Sequence, residues 1–288
     1  MANKQKKESY FRDVVRKFRS HKLAMIGLIF IAIEVFLVII LPYIMKLDPI
    51  NSDVAAFGAK PGPGHILGTD DIGRDVFSRL IYGGRVSLQV GLISSIISMF
   101  IGVPLGLIAG YYRGAFEAVI MRCSEIFMSF PSMMLILVLV AVVGPSVWTV
   151  TLVIGIMGWP QFAKLIYGNV LSAREKEYVE SARAVGTKDF SIILKYIVPN
   201  TFAPILIAFT FRTASAIIQE SALSFLGMGV QPPQASWGNI LYEAQSISVL
   251  STRPWMWVPP GILLVLTISA INFLGDGIRD ALDSKLNI

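Results

Sequence analysis

A single cysteine, Cys123, can close no internal disulfide. The two histidines, His21 and His65, lie far apart in polar segments. Neither reads as a metal ligand, and no Ser/His/Asp or Cys/His set can be assembled around them. No Gly-Lys dipeptide occurs, which excludes a phosphate-cradling P-loop. We therefore expect no catalysis and no cofactor on this chain. Charge is scarce as well: 15% of residues are charged, against about 25% for a soluble domain. The net charge of +6 comes without the long Lys/Arg cluster and interleaved aromatics that mark a nucleic-acid surface. No sizeable polar domain is present to act as a receptor head, and no internal repeat is visible.

What fills the space is apolar: 54% of the 288 residues are hydrophobic. Runs of about 20 apolar residues read as membrane spans. The expected fold is all-α and polytopic, with six spans: Leu23–Met45, Val86–Tyr112, Phe116–Val143, Val147–Tyr167, Phe202–Leu226 and Met256–Leu274. Pro131 and Pro160 should bend the third and fourth. Gly102, Gly106 and Gly110 recur every fourth residue, a spacing that lets helix backbones approach closely in lipid. Arg122 and Glu125 can pair on one helix face. The chain divides into a basic segment plus first span (1–45), an extracytoplasmic segment (46–86), a five-span core (87–275) and a short polar tail (276–288).

Residues 1–22 are basic but lack the order of a signal peptide. Phe11, Val14, Val15 and Phe18 fall at helical spacing, so an amphipathic helix lying on the inner membrane surface is expected. Segments 1–22, 111–122, 164–201 and 275–288 fall on one side and hold 18 of the 25 Lys and Arg residues. The other side holds 6, and Arg212 sits within a span. Positive residues favour the cytoplasmic side, which places both termini inside. Thr69 is expected to cap a helix with Asp70 and Asp71 in its first turn.

Besides Glu117, Arg122, Glu125 and Lys164, which lie toward the cytoplasmic ends of the third and fourth spans, three charges fall inside spans: Glu34, Arg212 and Glu220. An unpaired charge at mid-depth costs about 2.5–3.5 kcal/mol on insertion scales. Each should face protein or a wet path and is a candidate for the translocation path. Glu34 and Arg212 are candidates to pair with each other, with Glu220 or a partner chain as the alternative.

The longest patterned polar stretch is Glu177–Asn200. Two helical runs meet at Gly186, and Pro199 should end the second at Val198. Small residues at 182, 184 and 186 leave a shallow face for another protein's groove. The stretch resembles the cytoplasmic coupling motif of ATP-binding-cassette importer permeases, Glu-Ala-Ala-x3-Gly-x9-Ile-x-Leu-Pro. Glu180, Ala182, Gly186 and Pro199 fall in register; Ser181, Tyr196 and Val198 replace Ala, Ile and Leu, and Ile197 stands one position late. A second stretch, Leu67-Gly68-Thr69-Asp70-x-x-Gly73-Arg74-Asp75, resembles the first extracytoplasmic segment of the dipeptide, oligopeptide and nickel branch of that family. Ser224-Phe225-Leu226-Gly227, Pro232-Pro233 and Ser236-Trp237-Gly238 resemble the same branch.

The resemblance implies a type I importer permease fold in a bacterial or archaeal plasma membrane. It also implies a homologous second permease, two subunits that bind and hydrolyse ATP, and an extracytoplasmic substrate-binding protein. Coupling to the ATPase would fall on Glu180, Ser181, Ala182, Gly186 and Pro199. Peptide and nickel substrates both fit the branch; the absence of His from the spans favours peptides. An ion-coupled secondary transporter could use Glu34 and Glu220, but it would leave Glu180–Pro199 without a role.

Overall fold

Hydrocarbon offers a backbone no water to bond with, so each apolar run must satisfy its N–H and C=O groups internally, and helices result. The computed structural model describes residues 12–282. Among these no sheet forms; three isolated bridges tie residues 52–75 together. A helix over residues 12–20 (α1) is followed by α2 (Lys22–Ile44), α3 (Val76–Tyr112), α4 (Gly114–Ser129), α5 (Ser132–Val143), α6 (Val147–Met157) and α7 (Trp159–Arg174). Then come α8 (Glu177–Ala184), α9 (Asp189–Ile192), a π turn (Ile193–Ile197), α10 (Val198–Phe225), α11 (Trp237–Glu243), α12 (Ile247–Thr252) and α13 (Pro254–Leu282).

Five stretches are long and apolar enough to span: α2, α3, α6–α7, Asp189–Phe225 and α13. The pair α4 and α5, bent by 86°, makes the sixth if it is taken as one broken span. The break sits where Pro131 forbids helical backbone to its predecessor, and Phe130 is extended at φ −97°, ψ 146°. The fourth span breaks one step earlier than its proline suggested. Gly158 ends α6, and Pro160 sits in the first turn of α7, where a missing N–H costs nothing.

The packing centre is α3. Its glycine stripe lies directly on α7. A Cβ at Gly102 would stand 2.4 Å from the Trp159 carbonyl oxygen, one at Gly106 2.6 Å from that of Ala163, and one at Gly110 2.7 Å from Val170 Cβ. Backbone therefore meets backbone, as the spacing predicted. On its other sides α3 meets α10, α6 and α2. The first span packs on the last: Ala24, Gly27, Glu34 and Val38 turn inward, while Ile26, Ile29, Ile33 and Phe36 stay exposed.

Four local expectations change. Thr69 caps no helix: its hydroxyl accepts from Ala59 N at 2.8 Å and donates to the Ala56 carbonyl, which closes a loop. Asp75 caps α3 instead, accepting from Ser78 N at 2.7 Å, and Asp70 and Asp71 lie outside any helix. Pro199 does not stop its helix. The widened turn at Ile193–Ile197 surrounds the Lys195 carbonyl that the proline ring would otherwise strike, and the helix runs on into α10. The last helix also outruns the expected span, reaching Leu282 with Ala281 buried. Of the expected amphipathic helix, Val14, Val15 and Phe18 are half-buried, while Phe11 lies outside the described residues.

Candidate coupling site and the buried charges

Helix α8 opens with Glu177 and Glu180 in its first turn, where negative charge suits the exposed N–H groups. It closes at Gly186, whose φ is +77°. Gly186 N donates to the Arg183 carbonyl at 3.0 Å and Thr187 N to the Ala182 carbonyl at 3.1 Å. This is the paired bonding of a Schellman motif, which favours glycine at that position. A Cβ at Gly186 would meet nothing within 4 Å; the constraint is its φ, not crowding.

The motif residues divide between two faces. Glu180, Ser181, Gly186 and Pro199 are exposed, with Val185 at 83% and Phe190 at 71% exposure beside them. Ala182 is buried, with Val179, against Tyr111, Ile192 and Ile197. Its small side chain therefore seats α8 on the bundle and is not offered to a partner's groove, contrary to the expectation. The late isoleucine is explained by the π turn, which inserts one residue into the helical repeat. Ile192, Ile193 and Ile197 point inward, while Tyr196 remains half-buried and stacks on Tyr178.

Sequence reasoning missed Tyr111, at the end of α3. Its hydroxyl donates to Asp189 Oδ1 at 2.6 Å, the Arg183 guanidinium lies 5.6 Å over its ring, and its carbonyl accepts from Arg174 at 2.8 Å. One side chain thus binds both helices of the coupling segment to α3. An aromatic at a helix end gives no local sign of this, because its partners arrive 63 to 78 residues later.

The span charges do not converge. No ion pair joins Glu34 and Arg212. Glu34 accepts from Thr267 Oγ1 at 2.7 Å between α2 and α13, and its Oε2 has no partner among the described residues. Arg212 donates to the Ile154 carbonyl at 2.6 Å, to Gln219 Oε1 at 3.2 Å and to Ser98 Oγ at 3.4 Å, while Ser98 donates to the Gly155 carbonyl at 2.7 Å. Ile154 and Gly155 are among the last carbonyls of α6; at the break, Gly158 N turns to the Gly155 carbonyl at 3.3 Å and so leaves that of Ile154 without its helical donor. A cation there meets both the freed Ile154 carbonyl and the negative end of the helix dipole. Glu220 is fully buried and accepts from Ser87 at 2.9 Å, Ser224 at 2.8 Å and Ser221 at 3.4 Å. Ser87 and Ser224 accept in turn from Trp237 N and Val230 N, which binds the 227–237 loop to α3 and α10.

The other end of α3 explains the Leu67–Asp75 string. Asp70 pairs with Arg74 at 2.7 Å; Arg74 and Arg79 both reach Glu243 of α11, at 2.8 and 2.9 Å. Arg79 is 1% exposed. Gly73, at φ +82°, passes so close to Asp53 that a Cβ would stand 2.3 Å from its carbonyl oxygen.

Comparisons agree with this architecture. Residues 102–288 match the family described as binding-protein-dependent transport system inner membrane component, and residues 9–61 match the N-terminal TM domain of oligopeptide transport permease C. The glutathione transport system permease protein GsiD of Pectobacterium atrosepticum is 38% identical over 277 residues, covering 96% of this chain and 91% of that protein. The dipeptide transport system permease protein DppC of Alkalihalophilus pseudofirmus is 37% identical over 278 residues, with 96% and 91% covered. The oligopeptide transport system permease protein OppC of Bacillus subtilis is 34% identical, with 96% and 90% covered. Among solved structures, an inward-facing MetNI methionine ABC transporter chain superposes with a TM-score of 0.60 at 19% identity, over 70% of this chain and 96% of that one; the likeness is one of fold. The chain belongs to the binding-protein-dependent transport system inner membrane component family and is a multi-pass permease of an ATP-driven importer.

Proposed function

We propose that this chain forms half of a translocation path for di- or oligopeptides. The other half is a second, homologous permease. Two ATP-binding subunits dock beneath α8 and α9, and an extracytoplasmic binding protein delivers the substrate. Both termini and Glu177–Pro199 lie on the cytoplasmic side. The observation that carries the reading is the coupling segment itself: an exposed apolar tip at Val185 and Phe190, turned by Gly186 and tied to the end of α3 through Tyr111. A helix seated in an ATPase groove cannot stretch, because its backbone bonds are met internally, so closure of the ATPase pair would tilt the spans and switch the path between its two sides. Glu180, Ser181, Gly186 and Pro199 present the docking surface, and Ala182 holds it in place. Hydrolysis belongs to the ATPase subunits. Glu34, Arg212 and Glu220 brace the path from inside the packing and leave substrate choice to the binding protein and to other path residues. Peptides are the preferred class because the relatives' names include glutathione, dipeptide and oligopeptide transport.

The decisive experiment replaces Gly186 by Val. The spans are untouched, so the chain should still insert. A β-branched side chain at φ +77° strains the turn, so the ATPase subunits should co-purify poorly and peptide uptake should be lost. Normal co-purification together with normal uptake would reduce Glu177–Asn200 to a connecting loop.

A further inference from the structure

One large cavity belongs to none of the sites above. It has a volume of about 660 Å³ and lies between α1, α2, α10 and α13, at the end of the bundle where α2 and α10 begin and α13 stops. Its walls are Val15, Phe18, Leu28, Phe202, Leu206 and Ile278, and the charged group on its lining is Arg19. The cleft is built rather than accidental. His21 caps α2 by accepting from Ala24 N at 3.1 Å, and its other ring nitrogen stands 3.4 Å from Asp280 of α13. Phe18 and Ala24 both crowd Gly277, where a Cβ would fall 2.2 Å from Ala24 Cβ. Helix α1 is thereby fixed as a flap over an apolar slot.

The charge around the slot selects its occupant. Residues 12–22 carry Arg12, Arg16, Lys17, Arg19 and Lys22 against one carboxylate, Asp13, which is already paired with Arg16 at 3.0 Å. No carboxylate among the described residues lies within ion-pair distance of Arg19 or Lys22. The α13 end adds Asp276, Asp280 and Arg279, and Asp280 faces His21. An amphipathic basic helix over a hydrocarbon-sized cleft matches a ligand with an apolar tail and an anionic head. Phe202 stands three residues beyond Pro199, so this ligand would sit beside the coupling segment.

We propose that the cleft holds one acyl chain of an anionic phospholipid, with its headgroup against Arg19. This rests on the orientation given under Proposed function, in which this end meets the cytoplasmic leaflet. The test uses the full-length chain, purified with its accompanying subunits and reconstituted in phosphatidylcholine vesicles. These contain trace phosphatidylglycerol or phosphatidylcholine bearing a diazirine at the acyl terminus. Photolabelled peptides should map to α1 and to the Phe202–Leu206 turn of α10. One cation near a membrane surface corresponds to a preference of about fivefold. The phosphatidylglycerol probe should therefore exceed the phosphatidylcholine probe by about that factor, and Arg19→Gln should bring the two close to parity. Leu206→Trp, which fills the slot, should abolish this labelling and leave labelling at the exposed Val265 of α13 unchanged, which controls for folding. Gly186→Val should leave all labelling intact, so failure of the coupling reading is separable from failure of this one. Equal labelling by both probes in the unaltered chain, or labelling indifferent to Leu206→Trp, would overturn the proposal. So would labelling that emerges only after residues 283–288 are deleted, because the cleft would then belong to the chain's own tail.

Discussion

The two ends of α3 are held in opposite ways. At Val76 the helix is fixed by charge: Arg79, with Arg74 and Asp70 behind it, is tied to Glu243 of α11, and the neighbouring Trp237 is fully buried and donates to the Leu80 carbonyl at 3.2 Å. At Tyr112 it carries no buried ion pair among the described residues: Tyr111 ties the coupling segment to it, Arg174 donates to the Tyr111 carbonyl and Gly110 packs on Val170, while the segment leaves Val185 and Phe190 bare. Buried ion pairs lose a great deal when one partner is removed, so the first end is built to keep one geometry. The second end grips locally and leaves a surface for something else to bind. A helix fixed at one end and presented at the other suits a part that is pushed from below.

The comparison fails altogether if both ends lie on one side of the membrane. In a Cys123→Ala background, Asp53→Cys and Ser246→Cys should react with an impermeant thiol reagent in intact cells, and Val185→Cys only after the membrane is opened. Labelling of all three from outside would undo the assignment of ends. Next in size is Arg79→Gln. It removes the more deeply buried of the two cations on Glu243 and leaves Arg74 alone to serve both Glu243 and Asp70, a loss of about 3 kcal/mol, and should appear as reduced abundance and a lowered unfolding temperature of the purified chain. Gly106→Val forces side-chain atoms onto the Ala163 carbonyl; overpacking of this kind costs about 1–3 kcal/mol, and thermal unfolding in detergent would read it. The smallest loss is that of Tyr111→Phe, which removes one hydrogen bond to Asp189, worth about 1 kcal/mol. It should leave abundance nearly unchanged while lowering peptide uptake per ATP hydrolysed. Unaltered coupling in that variant would mean that the grip resides in Arg174 and Arg183 instead.

What was legible in advance was what repeats along the chain or sits within a few residues of its partner. The spans followed from apolar length, the close helix packing at the α3 stripe from glycines four apart, though not which helix it meets, and the Gly186 turn from motif spacing. The Arg122–Glu125 pair, 2.6 Å apart, followed from helical periodicity. What stayed hidden depends on partners distant in sequence. Mid-depth placement brought Glu34 and Arg212 together on paper, but depth says nothing of which neighbour a helix face meets. Glu34 found Thr267, and Arg212 found the Ile154 carbonyl, which lacks its helical donor because α6 breaks. Thr69 looked like a cap because caps are short polar residues before acidic ones; its hydroxyl was already engaged by Ala56 and Ala59. Pro199 looked like a stop because a single sequence does not reveal a π turn.

The glycine stripe has a mechanical consequence. With no side chains of its own on this stripe, α3 lies too close to α7 for the two to slide, and a tilt of one would be passed to the other. Helix α7 runs into α8 after two residues, while Tyr111 pins α8 and α9 to the other member of the pair. At 37 residues, α3 is about 55 Å long. A tilt of about ten degrees about Tyr111 would therefore move Val76 by roughly 10 Å, and α11 with it through Glu243. If Glu177–Pro199 couples as proposed, a small displacement there would thus be magnified along α3 at the far end.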